Sequence, residues 1–94
     1  MTKLEEKLIQ LGYYKKSEHY SEHYEDHSRR LTIYHKDVFE CVFIEFRIFD
    51  PRCSRKYRGR VVPYEVETQE DINEIQQAFN QLQKDLEELE EHEI

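Results

Sequence analysis

Six apolar residues near the C-terminus, Ile72, Ile75, Phe79, Leu82, Leu86 and Leu89, recur at steps of three and four. That spacing places them on one stripe of an α-helix. Thr68 stands just before the stripe and Asp71 three residues later, a capping box with Asp in the place usually held by Glu. A helix over residues 69–92 would run about 35 Å at about 1.5 Å per residue. It can therefore cross a whole small domain, and the residues upstream are expected to supply the surface it packs on.

Ninety-four residues predict a single domain, 1–94. A chain of this size buries about 60–65% of its unfolded surface, enough for one modest core. Seven Tyr and five Phe carry much of that burial, at roughly 150–250 Å² each. The first residues hold no apolar signal-peptide segment, and no apolar run reaches membrane-spanning length, so a soluble cytoplasmic protein is expected. Cys41 and Cys53 are not at metal-ligand spacing. Cys41 is expected to be a reduced thiol in an apolar strand.

Upstream of the long helix the periodicities change. Residues 2–11 carry Leu4, Leu8 and Leu11 on one helical face, and Gly12 follows where a left-handed cap residue is favoured. Residues 13–28 interleave Tyr13, Tyr14, Tyr20 and Tyr24 with polar residues, and Ser17-Glu18-His19-Tyr20 repeats as Ser21-Glu22-His23-Tyr24. A four-residue period fits strand and helix alike; the Tyr, Ser and His content favours an irregular edge strand. Residues 30–35 read as a strand with Leu31 and Ile33 inward and Thr32 and Tyr34 outward. Lys36-Asp37 reads as a turn. Residues 39–49 give the strongest strand, with Val42, Ile44, Phe46 and Ile48 on one face and apolar content on both, as in a central strand. Residues 52–60 read as a basic hairpin connection. Residues 60–67 then return, with Val62, Tyr64 and Val66 toward the core and Pro63 outward at an edge. The predicted class is α+β: a small antiparallel sheet of three or four strands, packed by the long C-terminal helix, with a short N-terminal helix.

Charge divides along the chain. Residues 65–94 hold eleven acids and one base, Lys84, a balance of −10, whereas residues 1–64 sum to +3. A rigid rod carrying Glu87, Glu88, Glu90, Glu91 and Glu93 can imitate phosphates in a basic channel, or form an ordinary solvated helix face. Arg52, Arg55, Lys56, Arg58 and Arg60 surround Tyr57, the pairing of cations and a ring that suits nucleic acid. The overall charge of −7 weighs against general nucleic-acid binding, so the hairpin reads equally as a solvated tip or as a contact for the acidic helix. Leu86 and Leu89 lie far enough along the stripe to overhang the sheet and meet a second copy. His19, His23 and His27 recur at four-residue steps, a spacing that can chelate Zn²⁺ or Ni²⁺, but they fall on an exposed polar segment and the expectation is no metal. There is no Gly-rich phosphate loop and no nucleophile elbow, and neither catalysis nor a cofactor is expected.

The segments Lys3-Leu4-Glu5-Glu6-Lys7-Leu8-Ile9-Gln10-Leu11-Gly12-Tyr13 and Gln77-Ala78-Phe79-Asn80-Gln81-Leu82-Gln83-Lys84-Asp85-Leu86-Glu87 resemble the two ends of a group of small proteins. These are encoded in the early or accessory regions of temperate phages of staphylococci and related bacteria. The resemblance implies a phage accessory protein in the host cytoplasm. Such proteins commonly bind and block a host protein, including replication factors and defence nucleases such as CRISPR nucleases. The resulting expectation is a non-enzymatic inhibitor that docks through Glu87, Glu88, Glu90 and Glu91 with Tyr20 and Tyr24. The alternative is a self-assembling regulatory dimer through the C-terminal helix, touching nucleic acid at the basic hairpin.

Overall fold

A computed structural model describes residues 2–24, 27–50 and 54–91, with side chains for all of these except 21–24, 27–29 and 91. The element order is α1 (Lys3–Gln10), β1 (Tyr14–Tyr24), β2 (His27–Phe39), β3 (Val42–Phe49), β4 (Tyr57–Pro63) and α2 (Gln69–Glu91). The four strands form one antiparallel meander in the order β1-β2-β3-β4. The predicted α+β architecture is what the chain adopts, with β1 and β4 at the edges and β3 inside. Among the described residues no helix is long and apolar enough to cross a membrane.

The helix ends form as their residues require. Thr68 Oγ1 accepts from the Asp71 backbone N–H at 3.2 Å, and Asp71 Oδ2 accepts from the N–H groups of Thr68 and Glu67 at 3.0 Å each. The capping box is therefore closed, and the Asp reaches one donor further back than the motif needs. These hydrogen bonds hold the Asp71 carboxyl below its usual range. At α1, Thr2 caps Glu5. Gly12 takes φ +100°, and its N–H bonds Ile9 while that of Tyr13 bonds Leu8, the paired-bond ending that favours glycine at that point.

Both helices lie on one face of the sheet. The core between them holds Leu4 and Leu8 of α1, Tyr13, Tyr34, Ile44, Phe46 and Ile48, and Leu82 and Leu89 of α2. One buried carboxylate pins each helix. The Tyr34 hydroxyl donates to Glu5 of α1 at 2.8 Å, and the Tyr13 hydroxyl donates to Asp85 of α2 at 2.7 Å. Burial and the facing carboxylate push both phenols far above their ordinary range, so they stay protonated and donate.

Six expectations are corrected by the packing. First, α2 is rotated about its axis relative to the apolar stripe. Its buried residues are Ala78, Leu82, Asp85 and Leu89, whereas Ile72 is 43% and Phe79 55% exposed. Small Ala78 seats the helix close over Cys41 and Val42, and Asp85 is drawn inward by Tyr13 and by Lys36 at 3.1 Å. Second, Leu89 is 1% exposed within this one chain and Leu86 packs on the same core. Neither overhangs as a dimer contact. Third, β2 is turned over. Thr32 and Tyr34 are buried on the helix side, while Leu31 and Ile33 lie half-buried on the other face. Fourth, the strand runs through Lys36 and Asp37 to Phe39, with a register shift before Phe39, and the turn falls at residues 40–41. Fifth, Cys41 is buried in that turn rather than in the strand. Sixth, β4 ends at Pro63, so Tyr64 and Val66 are exposed and the inward positions are Tyr57, Gly59 and Val61.

Candidate functional site

The face of the sheet away from the helices is covered by no other element among the described residues. Register decides what it presents, because cross-strand partners share a face. Glu45 on β3 lies between His35 on β2 and Arg60 on β4, and the next row on that face places Arg47 beside Arg58. Arg47 Nε donates to Glu45 Oε1 at 3.0 Å, Arg60 Nε donates to the same oxygen at 2.9 Å, and His35 Nε2 lies 3.2 Å from Oε2. Arg58 makes no ion pair among the described residues. Arg47, Arg58 and Arg60 line one shallow depression.

Glu45 organises this cluster. Burial pushes its carboxyl up, but hydrogen bonds from Arg60, Arg47 and His35 outweigh that and hold it below the usual carboxylate range. A depressed folded-state pKa adds stability that is full above the unfolded value and lost as pH falls through the folded one. Wild type should therefore lose urea resistance on acidification below about pH 4.5 more steeply than Glu45→Gln. Parallel urea midpoints at neutral and acid pH check this, and identical acid slopes would contradict the role given to Glu45.

Aromatic rings continue across the same face. His35 stacks on Phe43 with centroids 4.4 Å apart, Phe43 meets Tyr64 at 5.9 Å, and Tyr14 meets His35 at 6.4 Å. Tyr14 and Tyr64 are the exposed ends of this row. Three guanidiniums against one carboxylate can hold an anion, and the line of rings beside them offers flat aromatic surface, with the exposed Asp37 carboxylate at its far end 3.3 Å from the Tyr14 hydroxyl.

The basic connection is split by the strand. Arg55 and Lys56 are exposed before β4, and Arg58 and Arg60 point to the open face. The Tyr57 ring turns the other way and packs 6.1 Å from Phe46 under the helices, so it is not the stacking ring of that loop. Arg52 lies outside the described residues.

On the opposite side of the molecule, α2 exposes Glu70, Glu87 and Glu90. Other acids are engaged internally: Asp71 in the cap, Asp85 in the core, and Glu88 with Lys7 at 3.5 Å. Between the two acidic ends runs an uncharged stretch with Gln76, Gln77, Asn80 and Gln83, and Phe79 projects within it. Glu91 keeps its place on the helix, but its side chain and residues 92–94 lie outside the description.

β1 and β2 extend past the end of β3 as a two-stranded arm, pairing Tyr20 with Arg30, Ser21 with Arg29 and Tyr24 with His27. Tyr20 is 61% exposed there. His19 sits on β1 with Ser17 Oγ at 3.1 Å. His27 belongs to β2, so the three histidines do not line one element; the side chains of His23, His27 and Tyr24 lie outside the description. Cys41, Asp71 and Glu74 bring ligand-type atoms within 4.8 Å of one another. Burial, with Glu74 and Asp71 nearby, pushes the Cys41 thiol up to about 11. It therefore stays protonated, 3.3 Å from Glu74 Oε2, and ties the turn to the first part of α2.

The sequence reading missed Glu45 and Arg47 as site residues, and with them His35, Phe43, Tyr14 and Tyr64 on the open face and the outward Phe79 on α2. The available signal for Glu45 and Arg47 was their alternation with Val42, Ile44, Phe46 and Ile48, which puts two charges on the other face of a central strand. The chain matches no family model, no curated protein and no solved structure in the three comparisons made.

Proposed function

We propose that this chain is a non-enzymatic binding module that docks on a cationic surface of a partner protein through the outer side of α2. The observation that carries the reading is Phe79, 55% exposed in the middle of a rigid, capped helix. Ile72 shares its stripe seven residues earlier, and carboxylates bracket the pair. An aromatic anchor with a charged rim is the usual make-up of an interface centre, and acids around it steer approach to a basic surface. The resemblance at both chain ends supports a phage accessory protein whose partner is a host factor. Nucleic-acid-handling enzymes, defence nucleases among them, are the class whose channels supply such cationic surfaces.

Capture from staphylococcal lysate, followed by mass spectrometry, supplies the partner. Phe79→Asp is expected to weaken that capture by about thirtyfold, the factor matching a hot-spot loss of about 2 kcal/mol. Glu87→Lys with Glu90→Lys is expected to slow association and to make it insensitive to salt. A partner held equally by wild type and by both variants would remove α2 from the mechanism.

A further inference from the structure

We infer that the open face of the sheet binds single-stranded nucleic acid, with Arg47, Arg58 and Arg60 taking a backbone phosphate and the Tyr14–His35–Phe43–Tyr64 row stacking bases. The arginines are pre-positioned. Glu45 holds Arg47 and Arg60 through Nε, which fixes both guanidinium planes and leaves their terminal nitrogens for a ligand. With Arg58 beside them, the depression carries three positive charges against one negative. A planar fork matches phosphate oxygens two at a time.

The rings decide between strand forms. Stacked bases in a duplex offer no free faces, whereas unpaired bases can lie on aromatic side chains of an open sheet. Tyr14 and Tyr64 are the exposed rings here. The chain's charge of −7 argues against such binding only if it is spread evenly. Most of it sits on α2, beyond the sheet, and a helix alone is about 10 Å thick. That already exceeds the screening length of about 8 Å at physiological salt, so a strand on the open face is largely shielded from those carboxylates.

Fluorescence anisotropy with labelled oligothymidine, oligouridine and a duplex of equal length tests this on the whole protein. Single strands should bind more tightly than duplex. Arg58→Glu should weaken binding at least tenfold, and Arg58→Ala should weaken it less. Arg58 makes no pair with Glu45, so Arg58→Ala leaves those pairs in place, whereas Arg58→Glu adds a second carboxylate across from Arg47; an unchanged circular dichroism spectrum is expected for both. Each lost phosphate contact should reduce the slope of log affinity against log salt by about 0.7. Tyr64→Ala should cost about fivefold or more, the lower end of one stacked base. Four results would overturn the proposal: no oligonucleotide binding at low salt, equal binding by Arg58→Glu, equal affinity for duplex with no effect of Tyr64→Ala, or binding of polyglutamate but of no oligonucleotide. The site lies on the face opposite Phe79, so loss of this proposal leaves the α2 reading standing, and the reverse.

Discussion

Phe46→Ala is expected to remove a large part of this protein's stability, about 3–5 kcal/mol, as for other buried Phe truncations. Phe46 is fully buried at the middle of β3. Its cross-strand partners are Tyr34 and Gly59. Tyr13 meets its ring edge-on, with centroids 5.1 Å apart and planes at 87°. Gly59 is the reason the ring fits. A Cβ added there would lie 2.8 Å from two Phe46 ring carbons and 3.0 Å from Leu82, closer than atoms pack, so the aromatic ring uses the space that glycine leaves. The neighbours cannot collapse into the void, since Tyr13 is tied to Asp85 and Gly59 has no side chain to offer. A domain of this size holds about 5–15 kcal/mol in total, and about 4–8 °C of Tm goes with each kcal/mol. The variant should therefore melt roughly 12–40 °C lower. Urea denaturation followed by circular dichroism measures the loss. A cost below about 1 kcal/mol would mean that the ring does not fill this core.

What could be read from the sequence was what one residue type decides locally. Thr68 and Asp71 set the start of α2, Gly12 ends α1, and Val42, Ile44, Phe46 and Ile48 set the inward face of β3, because caps and strict alternation act over a few residues. What could not be read was rotation about an element's own axis. In β2, Leu31 and Ile33 are more apolar than Thr32 and Tyr34, yet the latter face the helices. The reason is that Tyr34 has Glu5 to bond there and Thr32 has Glu18 at 3.5 Å. In α2, the same effect turns Asp85 inward and Phe79 out. Buried polar bonds between residues far apart in sequence decided both rotations, and hydropathy carries no record of them. The basic character of Arg58 and Arg60 was legible. Their convergence with Arg47 on Glu45 was not, because it depends on the β3–β4 register.

Asp85→Ala is expected to cost about 3–5 kcal/mol, the range for removing one partner of a buried ion pair. Asp85 is 2% exposed and accepts from the Tyr13 hydroxyl at 2.7 Å, Lys36 Nζ at 3.1 Å and Gln81 Nε2 at 3.0 Å. Truncation strands the Tyr13 hydroxyl in the core and leaves the Lys36 ammonium, a fifth of whose side chain is exposed, with the Tyr13 ring face 5.0 Å from Nζ as its remaining partner among the described residues. The orphaned donors dominate the cost, since a lost contact between two satisfied groups is smaller. Two comparisons separate these effects. Asp85→Asn keeps an acceptor for Tyr13 but drops the charge, so it should cost less than Asp85→Ala. Adding Lys36→Met to Asp85→Ala should restore part of the loss, because the uncompensated cation goes with it. The alkaline limb gives an independent reading. Burial first, then the hydrogen bond and charge of Asp85, raise the Tyr13 phenol far above 10.0. A raised folded pKa contributes stability below the unfolded value, and that contribution is lost as pH rises past it. Wild type should thus weaken above about pH 10, and Tyr13→Phe should make that limb shallower, leaving the share of Tyr34, whose phenol is raised in the same way. If the double variant is no more stable than Asp85→Ala, and Tyr13→Phe leaves the alkaline limb unchanged, Asp85 is not the pin that holds α2 in its rotated seat and Phe79 outward.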